Sequence, residues 1–332
     1  MDQARCDATA EALLCSILSA ELEPREDSAS PAKGPSRVPL PSKRTLVVVL
    51  GGAIAALTLA VGLPSGINGN HDAMAALDEV AGTAASQPIQ SARLPYLYLK
   101  TQSWTVDTSV AQGKAWSVYR SEIREEWAAG DGSGRRRVTE EPPQFVGPAD
   151  RATWEAAGKP NFLPANSGHT AEESLPAGSF EGGVAGEELS ALPTGPTALS
   201  QALRQRAEEM HSSVPIPART LELIGELLRN PAATPELRAA LYKAAAMVPG
   251  IEYLGERTDV TGRKGLAVGV VSTYSGGPTL YSLIYDPRNS EALAMEATVL
   301  GPVAFADTPA PFVITATIYL ASGRAESVSK TP

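Results

Sequence analysis

Nineteen consecutive residues, Thr45 to Leu63, carry no charge and read TLVVVLGGAIAALTLAVGL. At ~1.5 Å of rise per residue, a helix of that length spans roughly 28 Å, close to the ~30 Å hydrocarbon core of a bilayer. A backbone inside lipid has to satisfy its own hydrogen bonds, so the run predicts one transmembrane helix. Lys43 and Arg44 stand directly before it, and no basic residue follows until Arg93. That asymmetry predicts a single-pass protein of the cell membrane, with its N-terminus in the cytoplasm and residues 64–332 extracellular. A cleaved signal peptide is the alternative, with small residues near Ala60 to Gly62 as the cleavage site, although 44 preceding residues are many for an n-region. A buried soluble helix fits poorly, because the run has no polar face.

Cys6 and Cys15 both precede the run, and no cysteine follows it. A lipoprotein anchor and a disulfide-stapled exterior domain are therefore excluded, and the eight-residue gap between the two thiols matches no metal-ligand spacing. The formal net charge is −9. It disfavours nucleic acid as a partner, since that requires a basic field.

Residues 1–44 read as a cytoplasmic tail. Ala12, Leu13, Ile17, Leu18 and Leu22 suit a short amphipathic helix that Pro24 stops, and a proline-rich linker runs on to Ser42. Past the membrane run, Asp72 to Ala85 predicts a helix with Met74, Leu77, Val80 and Ala81 on one face. Strands are predicted at Tyr96 to Asp107 and Lys114 to Ala128. In the second of these, Trp116, Val118, Ile123 and Trp127 point inward only if a bulge keeps them in phase. Gly130 to Gly134 is a hairpin turn leading to a return strand at Arg135 to Glu141. Residues 142–196 are polar, rich in Pro and Gly and weakly periodic, which predicts a flexible insertion draped on the surface.

Three helices follow, at Thr197 to Met210, Arg219 to Arg229, and from Thr234-Pro235-Glu236 to Pro249-Gly250. Leu199, Leu203, Leu221, Ile224, Leu228, Leu237, Leu241 and Ala244 are their apolar positions. The third begins with a hydroxyl cap, then proline, then an acid at the positive end of the helix dipole. Five strands close the chain: Ile251 to Arg257, Lys264 to Ser272, Thr279 to Asp286, Ala292 to Leu300 and Phe312 to Ala321. Short turns between successive strands imply antiparallel pairing. The fold class is α+β, one curved antiparallel sheet packed on a helical layer and preceded by one transmembrane helix.

Two resemblances follow from particular stretches. YLYLKTQSW from Tyr96, EEWAAGDGSGRR from Glu125, LPTGPTAL from Leu192, the run from Leu237 to Val268 and YDPRNSEALAMEATVLG from Tyr285 are similar to a family of single-pass membrane proteins of high-GC Gram-positive bacteria. Members are often encoded beside extracytoplasmic-function sigma factors, and no activity is settled for them. A helix leading into GIEYLGERTDVTGRKGLAV and YSLIYDPRNSEALAMEA also resembles the half-barrel of lipoprotein carriers and RseB-like envelope-stress regulators. That second resemblance implies a concave apolar face able to take a lipid chain or a protein partner; the membrane anchor and the long insertion depart from it.

Chemistry is sparse. His71, His169 and His211 are scattered, and none lies four residues from another, so a metal site has no local support. No nucleophile elbow, phosphate loop or dinucleotide fingerprint occurs. Ser327-Val328-Ser329-Lys330 matches S-x-x-K without its companion motifs. Glu125 and Glu126 are neighbours on a strand and point to opposite faces, so with Asp131 they form no close carboxylate pair. Arg135, Arg136 and Arg137 lie opposite them, either pairing across the hairpin or binding an acidic partner. Of Trp104, Trp116, Trp127 and Trp154, the first two suit the sheet core, and exposed tryptophans would line a ligand groove. The expectation is a non-enzymatic, membrane-anchored extracytoplasmic sensor or regulator, with sigma-factor signalling entering through the resemblance alone. The alternative is a membrane-tethered protein that binds a lipid or other hydrophobic ligand. Neither reading names a catalytic residue, a metal ligand or a cofactor, and a hydrolase has no constellation to carry it.

Overall fold

The computed structural model describes residues 69–88, 94–162, 168–178, 189–274, 277–302 and 308–332. Residues 1–44, expected as a cytoplasmic tail with Cys6 and Cys15, and the apolar run Thr45–Leu63 lie outside them, and no helix among the described residues is long and apolar enough to cross a membrane.

Ten strands form one antiparallel sheet: β1 (Tyr96–Ala111), β2 (Lys114–Ala128), β3 (Gly134–Glu140), β4 (Gln144–Phe145), β5 (Thr170–Leu175), β6 (Glu252–Thr258), β7 (Lys264–Tyr274), β8 (Gly277–Asp286), β9 (Glu291–Val299) and β10 (Phe312–Ala325). Their order is β5-β3-β2-β1-β10-β9-β8-β7-β6, with β4 beside β2, so the sheet is open. The described helices are α1 (Gly69–Ala85), α2 (Pro148–Ala156), α3 (Pro196–Glu209), α4 (Ile216–Leu228) and α5 (Pro235–Ala245). The expected α+β architecture is present, with a large antiparallel sheet and a layer of helices.

The helices form because their apolar residues recur at helical spacing. Leu199 and Leu203 of α3, Leu221, Ile224 and Leu228 of α4, and Leu237, Leu241 and Ala244 of α5 are all buried. Thr234 caps α5, its Oγ1 accepting the Leu237 N–H at 3.2 Å. In α1 the buried positions are Ala73, Leu77, Val80, Ala81 and Ala84, while Met74 is exposed. Leu77, Val80 and Ala81 face inward as expected, and Met74 alone departs, because the small Ala73 and Ala84 complete the stripe that meets α5. These helices cover one face of β7 to β10, where Val268, Val270, Leu283, Tyr285, Met295 and Tyr319 complete the main core. Gly225 permits the approach of α4, since a Cβ there would stand 2.6 Å from Met295 Cγ and 3.1 Å from the Tyr319 hydroxyl.

Several expectations are corrected. The β1–β2 ladder runs unbroken from Leu97/Ala128 to Ala111/Lys114, so β2 has no bulge. Trp116 and Val118 lie on one face, and Ile123 and Trp127 on the other. Both faces of β2 find cover, so no single inward face had to be kept. Segment 142–196 supplies β4, α2 and the edge strand β5. Bulges occur elsewhere. The ladder skips Leu254 between β6 and β7, Leu293 between β8 and β9, and Leu320 between β1 and β10. A bulge bends its strand and strengthens the local twist. All three leucines join one cluster, with Ile284, Ala294 and Ile318, on the face away from the helices.

Replacing Gly225 with Val should overpack the α4–sheet contact and lower stability by about 1–3 kcal/mol. Thermal unfolding of the variant reads this, and an unchanged midpoint would contradict the close approach.

Candidate functional site

The face opposite the helices has a floor of Ala267, Ile284, Ala294, Ala316 and Ile318, all buried, framed by half-buried Trp104, Leu254, Val260, Leu293 and Leu320. A carboxyl sits within this apolar cluster. Ser282, Glu296, Ala316, Trp104 and Ser121 form one row across β8, β9, β10, β1 and β2 by direct pairing. Glu296 is 6% exposed.

The turn between β6 and β7 folds over this row. Asp259 organises it: its side chain accepts the Thr261 N–H (2.9 Å), the Thr261 hydroxyl (2.7 Å), the Arg263 N–H (2.9 Å) and Arg263 Nε (2.8 Å). The Arg263 guanidinium then reaches the carbonyls of Tyr319 and Leu293 at 2.8 and 2.7 Å, tying the turn to β10 and β9. Val260, at the tip, packs on the apolar cluster and donates its N–H to Glu296 Oε1 at 3.0 Å.

Two carboxyls therefore lie together with unequal support, four donated hydrogen bonds on Asp259 against one on Glu296. Burial, and then the Asp259 charge, push the Glu296 carboxyl up to about 7, against the Val260 N–H and the Arg257 guanidinium. The Tyr119 phenol is pushed to about 12 by burial and by the charges of Glu296 and Asp150. Its ring stands edge-on to Trp104 at 5.7 Å. Trp104 Nε1 is buried and finds no acceptor among the described residues.

The residues singled out from sequence lie elsewhere. His71, His169 and His211 are exposed on α1, before β5 and after α3. Ser327 and Lys330 follow β10; there the Lys330 carbonyl accepts Trp127 Nε1 at 2.6 Å, and Val328 packs on Tyr98 and Trp127. Asp131 shapes the hairpin turn, and hydrogen bonds from the Ser133 hydroxyl and N–H hold its carboxyl below the usual range.

Glu125 and Glu126 do face opposite ways. Glu125 meets the Tyr98 hydroxyl (2.8 Å), Arg137 and Lys100, while Glu126, 2% exposed, takes Arg136 Nε at 2.7 Å. The β3 arginines are not at a sheet edge, because β5 adds Glu172 and Glu173 as further partners. The arginine run thus finds its carboxylates within the fold. Trp116 is buried beside Val118, Ala157 and the aromatic group of Phe145, Trp154 and Phe162, and half-buried Trp104 belongs to the apolar frame.

A second concavity, a cleft of about 260 Å³, lies beside Lys114, Asp150, Thr153 and Thr308. Its carboxylate already serves the fold, accepting the Ser117 N–H at 2.7 Å and the Thr308 hydroxyl. Sequence reasoning passed over Glu296, although a lone acid within ALAMEATVL, between positions that alternate toward two covered faces, is the signal that could have flagged it. No protein-family model matches the chain, and no curated protein is significantly similar to it.

Two outcomes follow. The folded protein holds a proton on Glu296 that the unfolded chain releases above the ordinary value of 4.5. The resulting stabilisation is present below pH 4.5 and is lost as pH rises through about 7, a fall of about 3 kcal/mol. Glu296→Gln should flatten that part of the stability–pH curve, and equal curves for variant and parent in thermal unfolding would refute the assignment. Separately, Glu126→Ala should cost about 1–3 kcal/mol in urea unfolding, since it removes the buried partner of Arg136 and leaves that arginine only its exposed pair with Glu173, whereas Glu172→Ala at the exposed edge should change little.

Proposed function

We propose that the chain is a membrane-anchored extracytoplasmic sensor or regulator without enzymatic activity. In this reading Thr45–Leu63 is the anchor, residues 1–44 engage a cytoplasmic partner, and residues 64–332 are a half-barrel receptor. The observation that carries it is the open ten-stranded sheet, one face under helices and the other presenting an apolar frame around Glu296. The leucine bulges support the half-barrel, because each bends the sheet locally. A platform of this kind suits binding: apolar side chains supply affinity, and one polar group sets orientation. The link to sigma-factor signalling rests on the stretches similar to the high-GC Gram-positive family.

A second reading, a membrane-tethered protein that binds lipid, is favoured by Trp104, Leu254, Leu293 and Leu320 standing half-buried on the apolar floor. Protease added to intact cells should digest the exterior domain and leave a fragment containing residues 1–63. An intact exterior domain after that treatment would overturn the topology. Failure of residues 1–44 to recover any cytoplasmic protein in a pull-down would weigh against regulation, and native mass spectrometry of the purified full chain tests the lipid reading by the presence or absence of bound lipid.

A further inference from the structure

The β6–β7 turn is held over the apolar face by few fastenings, and one of them is Glu296. The Arg263 guanidinium binds the Tyr319 and Leu293 carbonyls, Val260 fills the apolar cluster, and the Val260 N–H meets Glu296. The first two fastenings do not depend on the charge of Glu296; the third strengthens on ionisation, but a single N–H does not repay the desolvation of a buried carboxylate, so any loosening has to come from burial and repulsion. We propose that this turn is a proton-operated latch, shut over Glu296 while that carboxyl is neutral and loosened when it ionises.

The reason is the cost of a charge at that position. An ionised carboxylate 6% exposed, with one hydrogen bond, is poorly solvated. It regains water only by turning outward, and Val260 and the turn stand over that route. The groups facing Glu296 favour this outcome. Asp259, in the turn itself, repels a second negative charge, and its compensating partner Arg263 is committed to it and to two carbonyls. Tyr119 on β2 is neutral in the relevant range. The Val260 N–H and Arg257 on β6 oppose the effect by favouring the carboxylate, but burial and Asp259 outweigh them, leaving the carboxyl near neutrality. In the paired row, β8, β10 and β1 present Ser282, Ala316 and Trp104, none of which carries charge. Loosening would uncover Ile284, Ala294 and Ile318. In an extracytoplasmic receptor this would couple access to the apolar face to external pH. The latch itself does not require the receptor reading: lipid binding tests the receptor, and turn protection tests the latch.

Hydrogen exchange on the full-length chain in detergent, read by mass spectrometry between pH 5.5 and 8.5 and corrected for intrinsic rates, tests it. Peptides covering Leu254 to Lys264 should lose protection by about tenfold or more as pH rises, with a midpoint near 7, while peptides from α4 stay protected. Glu296→Gln should keep the turn protected throughout. The same loss in wild type and variant, a wild-type midpoint near 4.5, or equal loss in α4 would overturn the proposal. The wild-type midpoint decides the matter even if the variant folds poorly.

Discussion

The ladder between β1 and β10 is what makes this a single sheet. Tyr96 to Thr105 pairs with Thr315 to Ala325, joining the hairpins of β1 to β3 to the meander of β6 to β10. Without that seam β1, β2, β3 and β5 would have no route to the main helical layer, because α1 and α4 pack on β6 to β9 while α2 packs on β2 and β4. The seam closes a very long loop, a cost that grows only logarithmically with length. Ten registered residue pairs on adjoining strands offset it. The same strand places Tyr319 in the helix-side core and Ile318 in the opposite cluster, so one ladder supports both layers.

Charge inside this frame is treated in three ways, and the difference is the number of donors each carboxylate receives. Glu126 is buried against Arg136, so its charge is matched by a guanidinium. Asp259 is also buried but is surrounded by the turn it organises, with two backbone N–H groups, a hydroxyl and Arg263 as donors. Glu296 receives one backbone N–H and the field of Asp259. Burial alone would make all three costly. Only the last is left without an adjacent cation bonded to it, which is why its proton affinity moves toward neutrality.

Much of the local structure was legible in the sequence. Apolar residues at helical spacing located α3, α4 and α5, and the Thr234-Pro235-Glu236 start of α5 was read from its capping chemistry. The glycine-rich turn at Gly130 to Gly134 located the β2–β3 hairpin and set the β3 arginines opposite Glu125 and Glu126, and the register then paired Glu125 with Arg137 and Glu126 with Arg136. These features depend on neighbours a few residues away. The candidate site was not legible, because it is assembled from β6 to β10 and β1 and from leucines that reach it through bulges. Segment 142–196 was misjudged for a related reason: β5 has little apolar periodicity of its own and takes its place through Glu172 and Glu173 meeting the arginines of β3.

By itself, the sequence determined the positions of helices and strands, the uncharged run Thr45–Leu63 with its basic flank, and the antiparallel sense of neighbouring strands, since each follows from local periodicity, turn chemistry or charge order. Tertiary structure alone decided that β10 seams to β1, that three leucines bulge onto one face, and that Glu296 lies beneath Val260 with a single donor. The physical reason is that register and burial are set by residues distant along the chain. A carboxyl's environment depends on what folds over it, and the strand that carries it holds no record of that.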